Sequence, residues 1–192
     1  TFTQHDSWAS PKWRRTDSVL EGFTREPRVG THATSAPLRV LVTLGTIRPY
    51  RFDRLVNRVL EITNSDDSIV WQLGETTREG LPGDVHRLMD AEDLLAAAKS
   101  ADVVITHSGV GTILQLLDEG IAPVVVPREQ RYREHVDDHQ LQIWSLLTSS
   151  GVGYPTTVPD LTRGILHDAA NHRTRPLLAP CAPVVARPPT RS

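Results

Sequence analysis

Residues 101–112 read ADVVITHSGVGT. An apolar, β-branched run stops in a turn holding Gly109 and Gly111, and a new apolar-periodic segment begins at Thr112. That is a buried strand, a glycine turn and a helix start. The same alternation continues on both sides. Upstream, residues 38–44 (LRVLVTL) form a strand closed by Gly45, and Phe52, Leu55, Val56, Val59 and Leu60 recur at helical spacing. Residues 68–73 (SIVWQL) read as a strand, 81–84 (LPGD) as a turn and 85–88 as a short strand. Residues 92–99 (EDLLAAAK) favour helix. Downstream, a helix is expected over 112–119, with Gly120 placed as its C-terminal cap. Residues 122–126 (APVVV) make a strand closed by Pro127, followed by a helix from about 134 to 149, a last strand at 151–154 and a last helix at 160–167. Strands buried on both faces and separated by helices predict an α/β fold: a Rossmann-like, doubly wound parallel sheet. In such sheets ligands sit at the carboxyl ends of the strands. The loops after Leu44, Leu88, Thr106 and Val126 are therefore where function is sought.

The flanks differ. Residues 1–36 are polar and rich in Thr, Pro, Gly and Arg, and read as a linker with short helical content near 17–22. The globular domain is expected over 37–168. Residues 169–192 hold Pro176, Pro180, Pro183, Pro188 and Pro189, which predicts a tail without regular structure. The length of 192 residues fits one domain, and 39% apolar with 23% charged residues is ordinary for a globular protein. The net charge of -2 gives no basic footprint for nucleic acid. Cys181 is the single cysteine, which excludes an internal disulfide framework and a cysteine-based zinc site. No apolar stretch approaches the roughly 20 residues that span a bilayer, and no signal-peptide pattern opens the chain. Lysine occurs only at Lys12 and Lys99 among many arginines, a compositional bias without functional content.

The turn His107-Ser108-Gly109-Val110-Gly111-Thr112 is suited to an anion. Glycines let the backbone approach a ligand, and the free N–H groups of a helix start favour negative charge. Ser108 and Thr112 add hydroxyls and His107 a ring nitrogen. The plainer alternative is a tight turn with Ser108 or Thr112 as helix cap. A dinucleotide fingerprint fits poorly, because the third glycine is missing and the motif lies late in the domain. The Gly-Lys-Ser/Thr ending of a P-loop is absent too. Gly45 and Thr46 follow the first strand, where a glycine admits close approach of a substrate or simply turns a loop. Residues 134–140 (EHVDDHQ) allow three readings. They can open a helix with acidic residues near its positive end. His135 and His139, four apart with Asp138 beside them, could hold a metal, although no third ligand is evident. Asp138, His139 and Gln140 could instead bind sugar hydroxyls. No Ser-His-Asp set and no hydrolytic carboxylate pair can be assigned.

Residues 42–46 (VTLGT), 101–112 and 134–140 together resemble the C-terminal, donor-binding half of GT-B glycosyltransferases of family 28. The resemblance covers residues 38–154 and implies one Rossmann-like half of a two-domain fold with the nucleotide sugar in the cleft. It implies that His107, Ser108, Gly109, Val110, Gly111 and Thr112 hold a diphosphate and that Gly45 and Thr46 line the cleft floor. Gln115 falls where relatives place an acidic residue for the ribose, and an amide can still hydrogen-bond those hydroxyls. The loop with Asp90, Ala91 and Leu94 matches the one whose backbone reads uracil, and Asp138, His139 and Gln140 would face the sugar. Residues 13–23 look like the tail of an inter-domain linker. The implied donor is a UDP-sugar, UDP-GlcNAc above all, with no metal and no cofactor. The implied partner is an acceptor-binding domain or subunit, in which inverting members usually carry the general base, so no catalytic residue is assigned. The implied location is cytoplasmic, reaching the membrane surface through a partner. Two other readings stay open: a non-catalytic nucleotide-sugar-binding or partner-binding module, and a sugar-nucleotide epimerase of the same architecture.

Overall fold

The computed structural model describes residues 2–3, 14–15, 19–30, 32–136 and 139–177. The first strands, β1 (Phe2–Thr3) and β2 (Arg14–Arg15), form a short parallel pair. A 3-10 turn at Val19–Gly22 leads into β3 (Phe23–Pro27). The domain proper then runs β4 (Arg39–Thr43), α1 (Asp53–Ile62), β5 (Ser68–Gln72), β6 (Asp84–His86), α2 (Ala91–Ser100), β7 (Val103–His107) and α3 (Val110–Asp118). It continues with β8 (Val124–Val126), α4 (His139–Ser150), β9 (Tyr154–Pro155), α5 (Arg163–Ala170) and β10 (His172–Pro176).

Six strands pair in parallel in the order β6-β5-β4-β7-β8-β9. The chain steps outward from β4 to β6, then returns to add β7 on the other side of β4. The doubly wound class therefore holds, and its topological switch point lies between the carboxyl ends of β4 and β7.

The strand period of two explains the layers. Val40, Val42, Val103, Ile105, Val124 and Val126 face one side, under Leu55, Val56 and Val59 of α1 and Leu166, Ala169 and Ala170 of α5. Leu41 and Val104 face the other, against Ala98 of α2 and Leu116 of α3. Val125 meets Ile113 and Leu117 of α3 and Leu147 of α4 on that same side. Each valine, leucine or isoleucine among them contributes roughly 1.5–3 kcal/mol by leaving water. Trp71 is fully buried, and its indole N–H donates to the Pro82 carbonyl at 2.9 Å, which pins the loop joining β5 to β6.

Several boundaries differ from expectation. The third strand begins at Asp84, and α3 begins at Val110 rather than Thr112. The expected cap at Gly120 is present. Its φ is +74°, its N–H donates to Leu117 O at 3.0 Å, and the Ile121 N–H donates to Leu116 O at 2.9 Å, which is a Schellman ending. The helix expected from 134 starts at His139. Before it lie a 3-10 turn at Gln130–Tyr132 and Arg133 in the left-handed region, φ 58°. Glu134 turns inward there instead of opening a helix: it is buried, and its carboxylate accepts the Glu129 N–H at 3.2 Å. His135 therefore precedes α4, and the pairing of His135 with His139 on one helical face is withdrawn. The strand expected at 151–154 is Tyr154–Pro155, and α5 starts at Arg163 after Thr162, whose hydroxyl caps the Ile165 N–H at 3.4 Å.

The larger correction concerns the flanks. Residues 23–27, expected as linker, and residues 172–176, expected without regular structure, pair as antiparallel strands β3 and β10. The reason is side-chain chemistry rather than hydrophobicity. Thr174 is buried and its hydroxyl reaches the carbonyls of Leu117 and Ile121, each at 3.1 Å. Arg173 and Arg175 both reach Glu26, at 2.9 and 3.1 Å, across the ribbon.

Thr174→Val keeps the shape but removes the hydroxyl from two buried carbonyls. It is expected to lower stability by about 1–3 kcal/mol in urea unfolding followed by circular dichroism. A midpoint equal to that of the unaltered chain would mean that β10 is not part of the cooperative fold.

Candidate functional site

The carboxyl end of β7 delivers Thr106, fully buried, and His107 to the switch point. The chain then turns tightly, with the Gly109 N–H donating to His107 O at 2.8 Å. Gly109 is the N-cap of α3, and no side chain caps it. Neither Ser108 nor Thr112 plays the capping role of the plainer reading, so the first-turn N–H groups keep no side-chain acceptor. Ser108 is buried and its hydroxyl has no partner; the same is true of His107 Nδ1. Buried polar atoms are nearly always paired, so two orphans beside an uncapped helix start make this turn the candidate ligand site.

The imidazole of His107 lies between two glycine backbones. A Cβ on Gly45 would stand 2.6 Å from its Cε1, and one on Gly109 would stand 2.5 Å from its Nε2. Gly45 also has φ +74°, which disfavours any side chain there. The next loop closes on the same point: a Cβ on Gly74 would stand 2.0 Å from the Gly45 carbonyl oxygen. These glycines give room first to the histidine ring and to each other.

Burial pushes the His107 pKa down to about 4, and the electrostatic influence of Arg128 and His135 acts in the same direction. The ring is thus neutral at pH 7, with one nitrogen a donor and the other an acceptor. In the unfolded chain it would titrate near 6.5. The stability it contributes is present above that value and is lost as the pH falls from 6.5 toward 4.

The exit of β8 supplies a residue that the sequence did not single out. Arg128, just after Pro127, is fully buried. Its Nη2 donates to Leu44 O at 2.5 Å, and its Nη1 donates to Tyr50 O at 3.0 Å and Glu134 O at 3.1 Å. Its own N–H donates to Gln140 Oε1 at 3.0 Å. Burial lowers its pKa to about 10, which leaves it charged at neutral pH. Glu134 beside it is shifted upward by burial and is paired with Arg54 at 3.3 Å. An arginine in a polar stretch ordinarily reads as solvated surface, and no local spacing marks this one as internal.

The remaining expected residues divide. Thr46, Val110, Gly111 and Gln115 are exposed and Thr112 partly so, along the loop after β4 and the start of α3. Gln140 is buried, with its carbonyl oxygen engaged by Arg128. Asp90 is the N-cap of α2 and accepts the Asp93 N–H at 2.8 Å; Ala91 is exposed and Leu94 packs on the core. His139 opens α4, and Asp138 lies outside the described residues. Among the described residues no group of three or more side chains could hold a metal ion. The arrangement is of a kind suited to an anion: an uncapped helix start, unpartnered polar atoms, a neutral imidazole and a buried cation.

A family model described as the glycosyltransferase family 28 C-terminal domain matches residues 39–176. Similar curated proteins include the UDP-N-acetylglucosamine--N-acetylmuramyl-(pentapeptide) pyrophosphoryl-undecaprenol N-acetylglucosamine transferases of Burkholderia lata and Burkholderia multivorans. Each is 29% identical over 172 residues, covering 83% of this chain and 46% of the relative. The chain thus spans about half the length of these relatives. The crystal structure of the glycotransferase of kitacinnamycin shares the fold, with a TM-score of 0.50 and 22% identity over 74% of this chain and 38% of that one.

Ring resonances of His107, followed by proton–nitrogen NMR, are expected to show a neutral imidazole down to about pH 5 and a midpoint near 4. A midpoint at 6 or above would contradict the enclosure of the ring.

Proposed function

The chain belongs to glycosyltransferase family 28, as its C-terminal domain, and from that membership we propose that it binds the donor of a hexosyl transfer, UDP-GlcNAc, across the start of α3. The observation that carries this reading is the pair of orphaned polar atoms, His107 Nδ1 and Ser108 Oγ, beside the uncapped N-terminus of α3. The diphosphate would take the N–H groups of Val110 to Thr112, the Gly109 N–H being turned back onto His107 O. Gln115, exposed on the same helix, would reach the ribose hydroxyls. The loop at Asp90, Ala91 and Leu94 would read the uracil edge through its backbone, and Asp138, His139 and Gln140 would face the sugar. Gly45 and Thr46 would form the floor. The sugar and the base are supported by the names of the similar transferases, which use UDP-N-acetylglucosamine.

The chemistry follows from the charge that develops. An acceptor hydroxyl forms a bond to the anomeric carbon, the bond from that carbon to the diphosphate oxygen breaks, and UDP leaves with the electron pair. The helix start and the donors around it meet that negative charge in a fixed arrangement. In this proposal they do so without a metal or cofactor. The acceptor, and the base that takes its proton, would belong to an N-terminal part or a partner subunit. No helix among the described residues is long and apolar enough to cross a membrane. A lipid-linked acceptor such as the relatives' names describe would thus be reached at the cytoplasmic membrane surface through that partner.

Calorimetry against UDP, dTDP, GDP and ADP is expected to show selective binding of UDP. Gly109→Val, which drives a side chain into His107, and His107→Ala should each weaken it by at least tenfold. Equal affinity for the four nucleotides, or unchanged UDP affinity in both variants, would overturn the assignment. Donor binding without transfer after the acceptor-binding part is supplied would favour the non-catalytic module.

A further inference from the structure

We propose that Arg128 is a positioning residue of the donor site, a buried cation that fixes the loops at the carboxyl end of the sheet and draws the diphosphate by its charge; this rests on the donor-site reading above. The first argument is its partners. A fully buried guanidinium is costly unless paired. Here its hydrogen bonds go to main-chain carbonyls of Leu44, Tyr50 and Glu134. It forms no ion pair within 4.0 Å among the described residues. The nearby Glu134 carboxylate is engaged by Arg54 and the Glu129 N–H. Among the described residues the charge of Arg128 is thus held mainly by carbonyl dipoles, with the Glu134 carboxylate acting on it from beyond ion-pair distance.

The second argument is position. Leu44 and Tyr50 bracket Gly45 and Thr46, while Glu134 and Gln140 bracket the segment proposed to face the sugar. One side chain thus ties the exit loop of β4 to that of β8, and its main-chain N–H ties both to α4. Val126 pairs with His107 across the sheet, which sets Arg128 two residues beyond the rung that carries the imidazole. Its Nε–H is a further buried donor without a partner, like the two polar atoms at the start of α3.

The third argument is the field. The Arg128 charge disfavours a second positive charge on His107. The same field, acting on an anion at that place, attracts it. Lysine would keep the charge but lose the planar fork. Glutamine would keep a donor and lose the charge.

The test compares UDP with uridine, which shares the base and ribose but lacks the diphosphate, by calorimetry on the unaltered chain, Arg128→Gln and Arg128→Lys. The preference for UDP over uridine is expected to fall at least tenfold in Arg128→Gln and to stay within threefold in Arg128→Lys. The NMR midpoint of His107 should rise in Arg128→Gln alone. An unchanged preference in Arg128→Gln, or an equal loss in both variants, overturns the electrostatic role. Should circular dichroism show that Arg128→Gln is unfolded, the unaltered chain carries the test. Its Arg128 Nε–H resonance must then shift on addition of UDP and not of uridine, and absence of that shift overturns the proposal. Failure of the unaltered chain to bind UDP would instead overturn the donor-site reading itself.

Discussion

The imidazole of His107 touches two backbones that are far apart in sequence, at Gly45 and at Gly109. The ladder between β4 and β7 spaces the strands, and this contact sets how the two exit loops sit above them at the switch point. Any side chain at either glycine would push the ring aside. Gly74 then closes on Gly45, so the loop after β5 is set by the same packing. The rest of the site follows in order: the turn after β7 places Gly109 as an uncapped helix start, and α3 projects its N–H groups from there. The glycines are thus needed for the ring and for each other.

Electrostatically the site separates two kinds of positive influence. His107 is kept neutral by burial, so its ring can donate and accept but carries no charge at pH 7. Arg128 keeps its charge in the interior because three carbonyls are aimed at it. A charged histidine within the field of a charged arginine would be repelled by it, and desolvation resolves the conflict in favour of the stronger base. The helix dipole of α3 adds its positive end beside them.

The central strands were legible because burial on both faces leaves uninterrupted β-branched runs, such as residues 38–44 and 101–106. The turn at His107 to Thr112 was legible for the same reason: glycines directly after a buried strand have few uses. The β3–β10 ribbon was not legible. Phe23 and His172 apart, its residues are threonine, arginine, glutamate and proline, and ion pairs across the strands and one buried hydroxyl hold it without a hydrophobic period. Arg128 escaped notice because its burial depends on carbonyls contributed by two other segments. The register of residues 134–140 was misjudged because a helical start and an inward-turned glutamate share the same composition; only the carboxylate's partners distinguish them. Asp90, expected at a base-reading loop, has a local duty as helix cap that is compatible with a role for the backbone around it.

The Schellman ending of α3 abuts the ribbon. Thr174 donates its N–H to Gly120 O at 3.1 Å and its hydroxyl to the last turn of the helix. At 1.5 Å rise per residue, a helix of 9 residues is a stiff rod about 13 Å long. One end carries the uncapped amides and the other is clamped by two segments from opposite ends of the chain. Mechanically, α3 is a strut: the ribbon of residues 23–27 and 172–176 braces the end of the helix opposite its uncapped amides.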